Sequence, residues 1–181
     1  MGKIIALQRA INVGGIKVNI AELRSMVADL GFSGVRSYVA SGNLVFDGDG
    51  RSCAELEALF ETEATKQIGL TTEWMCRTAD EWKAILAANP YEDFARESPS
   101  KLLVTLFKTA PDPKGLEAVR AKAVFGETME LVGRELFVTF PEGAGKSKLG
   151  SAAAWKPLKA PGTSRNWNTM LKLGEMAGAT S

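Results

Sequence analysis

Histidine is absent from this chain of 181 residues, and cysteine occurs only twice, at Cys53 and Cys76. Without an imidazole, a Ser-His-Asp triad, a Cys-His dyad and a histidine-ligated zinc are all excluded. The two cysteines are far apart and form no CxxC or similar spacing, so they read as reduced thiols of an intracellular protein and leave no metal site to expect. No apolar run approaches the ~20 residues that a membrane span needs. The first residues, Met1 to Arg9, meet a charge too soon for a signal peptide, and Ala6 stands where a myristoylation signal carries Ser or Thr. The expectation is a cytoplasmic protein with no membrane partner. Charge of one sign is also lacking overall: 22 basic residues face 21 acidic ones, for a net charge of +1. Arginine, lysine, asparagine and carboxylates are left to do whatever chemistry there is.

What is present describes a folded domain. Hydrophobic residues make up 45% of the chain and charged ones 24%. A chain of this length buries roughly 70% of its unfolded surface and needs no staple to hold a core. Lys3–Ile11 is short and mostly apolar, a strand buried on both faces, and it runs into Asn12 and the Gly14-Gly15 pair. Asn19 with Glu22 resembles a capping box, and Ile20, Leu23, Val27 and Leu30 recur at helical spacing until Gly31. Val35–Ala40 and Leu44–Phe46 are strand-like and joined by Ser41-Gly42-Asn43, a hairpin signal. Ser52 with Glu55 opens a second helix ending near Gly69, and Thr71–Arg77 is again a strand. The order β-α-β-β-α-β is the ferredoxin-like one, in which the first and third strands lie antiparallel side by side. The end of the first strand, Asn12 to Gly15, should then lie against the 41–43 hairpin.

Thr78 and Glu81 form a third capping box, for a helix that stops at Asn89-Pro90. A loop over 90–99, a strand over 101–108, a helix over 114–122 and a hairpin of 129–132 with 136–140, turning at Gly133-Arg134, repeat the order before helical segments fill the C-terminal quarter. The expected architecture is therefore α+β: a ferredoxin-like unit over 1–78, a helix and linker over 79–100, and a related smaller unit over 101–181 ending in helices.

Charge is unevenly distributed. From Gly143 to Gly174 there are six basic residues and no acidic one, while Asp47 to Glu63 carries six acids against Arg51 alone. A basic segment of this kind suits a phosphate-bearing ligand or nucleic acid, or else it is a solvated face neutralised by the acidic stretch. Gly143-Ala144-Gly145-Lys146-Ser147 looks like the end of a Walker A loop. Phe140 occupies the place of the motif's other glycine, and no acid follows before Glu175, so a generic phosphate contact from Lys146, Ser147 or Lys148 is the reading left, against a simple hinge. Thr163 to Thr169 is the richest polar-aromatic stretch. With Pro161-Gly162 before it and Thr163 as N-cap, it should begin a helix whose polar face carries Arg165, Asn168, Thr169 and Lys172 beside Asn166. Such a helix start is an anion site or merely a capped end with Trp167 in the core. Arg9, inside a strand, must meet either a carboxylate or a ligand. The glycine pair after it serves a ligand or only a sharp turn.

Three of these strings carry a resemblance to a known family. Arg9 to Gly15, Ser41-Gly42-Asn43 with Leu44-Val45-Phe46, and Ser164 to Thr169 resemble the bacterial family called domain of unknown function 1697, in order and spacing and over nearly the whole chain. The resemblance implies a compact α+β fold with a ferredoxin-like N-terminal half and brings no activity with it. The chain departs from the family pattern in having Ala10 for a glycine, Ala40 for a glutamine and Ser164 for a threonine. Ala40 cannot make whatever contact a glutamine would make there.

The sequence leads to one principal expectation. Arg9, Asn12, Gly14, Gly15, Ser41, Gly42 and Asn43 meet Lys146, Ser147, Lys148, Arg165, Asn166 and Asn168 to bind a phosphorylated small molecule such as a nucleotide. The alternatives are a nucleic-acid-binding module using the basic 143–174 segment with Trp155 or Trp167, and a structural or protein-interaction domain in which the motifs lock the fold. Carboxylates such as Asp47, Glu92 and Asp93 form no paired motif, so no catalytic residue is assigned.

Overall fold

The structure, a computed structural model, describes residues 2–9 and 19–180. It forms two compact units, Met1–Ala84 with Leu171–Ser181, and Ile85–Met170. The first contains β1 (Lys3–Gln8), α1 (Ile20–Asp29), β2 (Arg36–Tyr38), β3 (Asn43–Asp47), α2 (Cys53–Ile68) and β4 (Trp74–Thr78). Its four strands lie in the order β2-β3-β1-β4, with every neighbouring pair antiparallel. β1 is thus central, as the predicted element order requires. Its last paired residues, Leu7 and Gln8, stand opposite Asn43 on one side and Trp74 on the other.

Alternation along the strands sends Ile4, Ala6, Leu44, Phe46, Trp74 and Cys76 to one face, where α1 and α2 cover them. α2 begins with the predicted Ser52–Glu55 capping box and ends at Gly69. Between those points Leu56, Phe60 and Ala64, one turn apart, face the sheet. Phe60 meets Phe32, Phe46 and Trp74 edge-on at centroid distances of 5.7, 5.6 and 5.3 Å. Such aromatic pairs contribute about 0.5–1.5 kcal/mol each beyond their burial. The opposite face carries Ile5, Leu7, Val45 and Met75, all buried, so the sheet is covered on both sides. α1 is capped by Asn19 through the N–H of Ala21, at 2.9 Å, one residue short of a full capping box.

β4 is an edge strand, and α2 protects it. The Trp74 N–H donates to Glu61 at 3.1 Å and the Cys76 N–H to Glu57 at 2.8 Å. These carboxylates, one helical turn apart, occupy donors that would otherwise invite another strand. The Thr78–Glu81 capping box then starts α3 (Ala79–Ala87).

The second unit contains α4 (Glu92–Glu97), β5 (Leu102–Phe107), α5 (Pro113–Arg120), β6 (Thr128–Val132), β7 (Glu135–Thr139) and β8 (Gly162–Asn166). Its sheet has the order β6-β7-β5-β8, again all antiparallel, so the first strand of the unit is again central. The loop expected over 90–99 holds α4, a helix whose charges suit its ends: Glu92 and Asp93 open it and Arg96 closes it. The larger correction concerns the C-terminal quarter, which is not wholly helical. Gly162–Asn166 pairs with Leu103–Phe107 as β8. Helix α6 (Trp167–Ala177) starts only after it. The 101–181 segment expected as one unit also divides, since Leu171–Ser181 groups with the first unit, where the Arg36 guanidinium donates to the Met176 carbonyl.

Between β7 and β8 there is no counterpart of α2, only two short 3-10 turns, Lys148–Gly150 and Ala152–Leu158. The second packs so closely on α5 that a Cβ on Gly115 would overlap the Pro157 carbonyl and lie 3.0 Å from the Leu158 nitrogen. Among the described residues no helix is long and apolar enough to cross a membrane. Backbone cannot yield to a new Cβ as a flexible side chain can, so Gly115→Ala is expected to destabilise the second unit by roughly 1–3 kcal/mol. Urea unfolding followed by circular dichroism measures the loss.

Candidate functional site

In the first unit the predicted site residues gather at the carboxyl end of β1. Gln8, at the last ladder position, is 1% exposed. Its N–H donates to the Gly42 carbonyl at 2.9 Å, and its side-chain amide donates to the Arg9 carbonyl at 3.0 Å and to the Thr72 hydroxyl at 3.1 Å. Thr72 in turn donates to the Arg9 carbonyl at 2.7 Å. Gly42 is required twice over: its φ is +73°, and a Cβ there would lie 2.6 Å from Gln8 Oε1. Asn43 is fully buried, and its amide donates to the Tyr38 carbonyl at 3.0 Å and the Ser41 hydroxyl at 2.9 Å, closing the turn. Arg9 is paired with Glu73, and both side chains remain about two-fifths exposed, at 41% and 38%. Arg9 lies just beyond the end of β1 and not inside it, and the choice posed for it is met by a carboxylate, with the guanidinium still reachable from water. The cross-strand neighbour of Gln8, Trp74, carries a buried indole N–H with no partner among the described residues. Asn12, Gly14 and Gly15, together with Ala10, lie outside the described residues.

Lys146, Ser147, Lys148, Arg165, Asn166 and Asn168 belong to the second unit. Lys146 is 73% exposed and lies 3.8 Å from Glu142. Ser147 is spent internally: its oxygen accepts from the Leu149 N–H at 3.0 Å, and its hydroxyl donates to Glu127, a carboxylate only 8% exposed. Glu127 also accepts from the Phe125 N–H at 2.7 Å. Burial acts to raise its pKa, but the Ser147 hydroxyl and the backbone N–H groups of Phe125 and Glu127 outweigh burial and hold it below the ordinary glutamate value. Lys148 starts the first 3-10 turn of the crossover.

Arg165 lies on β8 and not on a helix, so the polar face expected from Arg165, Asn168, Thr169 and Lys172 does not form. Thr163, expected as the N-cap, is a buried strand residue opposite Leu106. The helix is capped instead by Asn166, whose side chain accepts from the Thr169 N–H at 3.0 Å. Arg165 itself is 7% exposed, and it donates to Thr163 Oγ1 at 2.7 Å and the Ser164 carbonyl at 2.8 Å. Burial pushes its guanidinium down to about 10, so it stays charged at neutral pH. Asn168 is exposed on the first turn of α6.

Other chemistry finds little support. Cys53 is pushed up to about 11 by burial and by Glu81 and Glu57, and burial likewise raises Cys76 well above the ordinary thiol value, so neither is a thiolate nucleophile at neutral pH. Asp47 is held by Lys3 at 2.5 Å and by Ser33, and Asp93 pairs with Arg96. Among the described residues no three acidic or cysteine side chains could hold a metal ion. Sequence reasoning missed Gln8, Thr72, Glu73 and Glu127. Gln8 was within reach, since it continues the inward Ile4, Ala6 alternation. The other three sit in turns or short connections, where no periodicity marks them.

Two expectations follow for stability. Asn43→Ala removes the buried amide that donates to the half-buried Tyr38 carbonyl and should cost about 1 kcal/mol in urea unfolding. Glu127 has a folded pKa below its unfolded one, so its contribution is full above the unfolded value, about 4.3, and is lost as pH falls through the folded value. A pH series of melting curves should show this acid loss, and Glu127→Gln should flatten it.

Comparison with known proteins agrees with this architecture. A conserved bacterial protein, SP0830 from Streptococcus pneumoniae, has a solved structure similar to this one, with a TM-score of 0.74 and 24% sequence identity over 97% of this chain and 98% of that one. At that identity the likeness concerns the fold alone. No curated protein matches the chain. The family model described as "Protein of unknown function (DUF1697)" matches residues 1–137. That span takes in the Arg9 and Ser41-Gly42-Asn43 strings, two of the three on which the resemblance rests, while the Ser164 to Thr169 string lies beyond it, and the chain belongs to this family.

Proposed function

We propose that the protein binds a phosphorylated small molecule, nucleotide-like in character, at the carboxyl end of β1. The observation that carries this reading is an accessible guanidinium, Arg9, whose own carbonyl is held by two buried and mutually bonded polar groups, Gln8 and Thr72. Burying such groups costs free energy, and a frame of this kind holds a recognition group in one geometry. Arg9 offers the planar fork that suits phosphate oxygens, and a phosphate would exchange for the Glu73 carboxylate.

A structural reading has its own support, since Asn43, Ser147 and Asn166 spend their polar atoms on turns and caps. The nucleic-acid reading draws less. Trp167 is buried against Phe137, and the Trp155 indole N–H is committed to the Leu149 carbonyl at 2.8 Å. Trp167 therefore offers no free face for a base.

Thermal shift at low salt against nucleotides, sugar phosphates and short oligonucleotides distinguishes these readings, because any ligand of the native state raises the melting temperature by mass action. A shift with a small phosphate compound is expected, and Arg9→Ala should remove it. The Arg9–Glu73 pair is solvent-exposed, so the same variant should change unliganded stability by no more than about 1 kcal/mol. An equal ligand shift in the variant overturns the proposal. Shifts with oligonucleotides alone, fading as salt rises, would favour nucleic acid instead.

A further inference from the structure

The two units share a strand order but not a cover. In the first, the 16-residue helix α2 lies across the sheet and fills it with Leu56, Phe60 and Ala64. In the second, the β7-to-β8 connection crosses the corresponding face with short turns, and a cavity of about 210 Å³ remains beneath it. The sheet supplies Leu103, Thr105, Val138 and Ser164 as its floor, and Leu149, Gly150 and Trp155 of the crossover form its other wall.

The lining is neutral throughout. Its polar feature is the cross-strand pair of Thr105 and Ser164 hydroxyls, 2.7 Å apart. Two hydroxyls carry two protons and four lone pairs, and their mutual bond uses one of each. One donor and several acceptor positions are left for a guest. The wall is fixed in place: Ser147 caps Leu149 and bonds Glu127, while the Trp155 indole N–H holds the Leu149 carbonyl. A preformed apolar cavity takes up a ligand without an ordering cost. An apolar cavity of roughly 150 Å³ accepts benzene, so this one has room for a ring with a substituent.

We infer that this cavity is a binding site for a small uncharged molecule, a six-membered ring bearing one hydroxyl or carbonyl that bonds to the Thr105–Ser164 pair. The absence of charge from the lining sets it apart from the phosphate site proposed at β1, and neither depends on the other.

Titration of the full-length ¹⁵N-labelled protein with phenol tests the inference. Saturable shifts are expected at the Trp155 indole N–H and at the amides of Leu149 and Ser164. The double variant Thr105→Val, Ser164→Ala keeps the size of the site and removes both hydroxyls. It should weaken phenol roughly fivefold, the loss of one net hydrogen bond, and leave toluene within about twofold. Ala144→Phe, which puts a ring in place of a lining methyl, should abolish binding of both. Thr105→Val keeps the shape of a buried residue on the central strand and Ser164 is exposed on an edge strand, so the double variant is expected to fold even if Ala144→Phe does not. The inference is overturned by phenol shifts that do not saturate or lie elsewhere, by unchanged phenol affinity in the double variant, or by toluene binding the native protein as tightly as phenol.

Discussion

Everything else in the structure depends on the first strand of each unit being central. β1 pairs with β3 and β4, and β5 pairs with β7 and β8, in antiparallel ladders on both sides. A central strand gives up all its backbone donors and acceptors to its neighbours, so its ends are where the chain first becomes available for other contacts. At the end of β1, Gln8 bonds to the hairpin on one side and to the approach of β4 on the other. The position of Arg9 follows from that register.

The chain spends polar side chains at the margins of its sheets. Glu57 and Glu61 close the free edge of β4, Asn43 closes the β2–β3 turn, and the hydroxyls of Thr105 and Ser164 pair at the edge strand β8. Each of these groups is worth little as a net hydrogen bond and much as an unpaired one. Several of the conspicuous polar motifs have a structural task of this kind. Asn166 and Ser147, which look like ligand contacts in the sequence, cap a helix and a turn. Arg9 differs from them because its guanidinium stays accessible.

The repetition of one strand order with different crossovers shows how the two halves diverge. A helix long enough to lay four turns on a sheet brings aromatic residues into register with it, as Phe60 does. A crossover of short turns cannot deliver side chains at a regular spacing, and it fills the space under it less completely. The cavity of the second unit and the tight passage at Gly115 are two results of the same substitution of turns for a helix.

The sequence by itself determined the elements whose signals are local. The capping boxes at Ser52–Glu55 and Thr78–Glu81, the stop at Gly69, and the turns at Gly42 and Gly133 each depend on a few adjacent residues, and each forms where its signal stands. Element order then led to the α+β fold, because β-α-β-β-α-β has few ways to close. Only the tertiary structure decided the fate of Gly162–Asn166. Its Pro-Gly entry and Thr163 are acceptable both to a helix start and to a strand, and the free side of β5 selected the strand. That choice buried Arg165 and moved the helix cap to Asn166. Burial of Gln8, Thr72 and Glu127 was likewise set by what packs beside them, since a polar side chain carries no periodicity of its own and its partner lies far away in sequence.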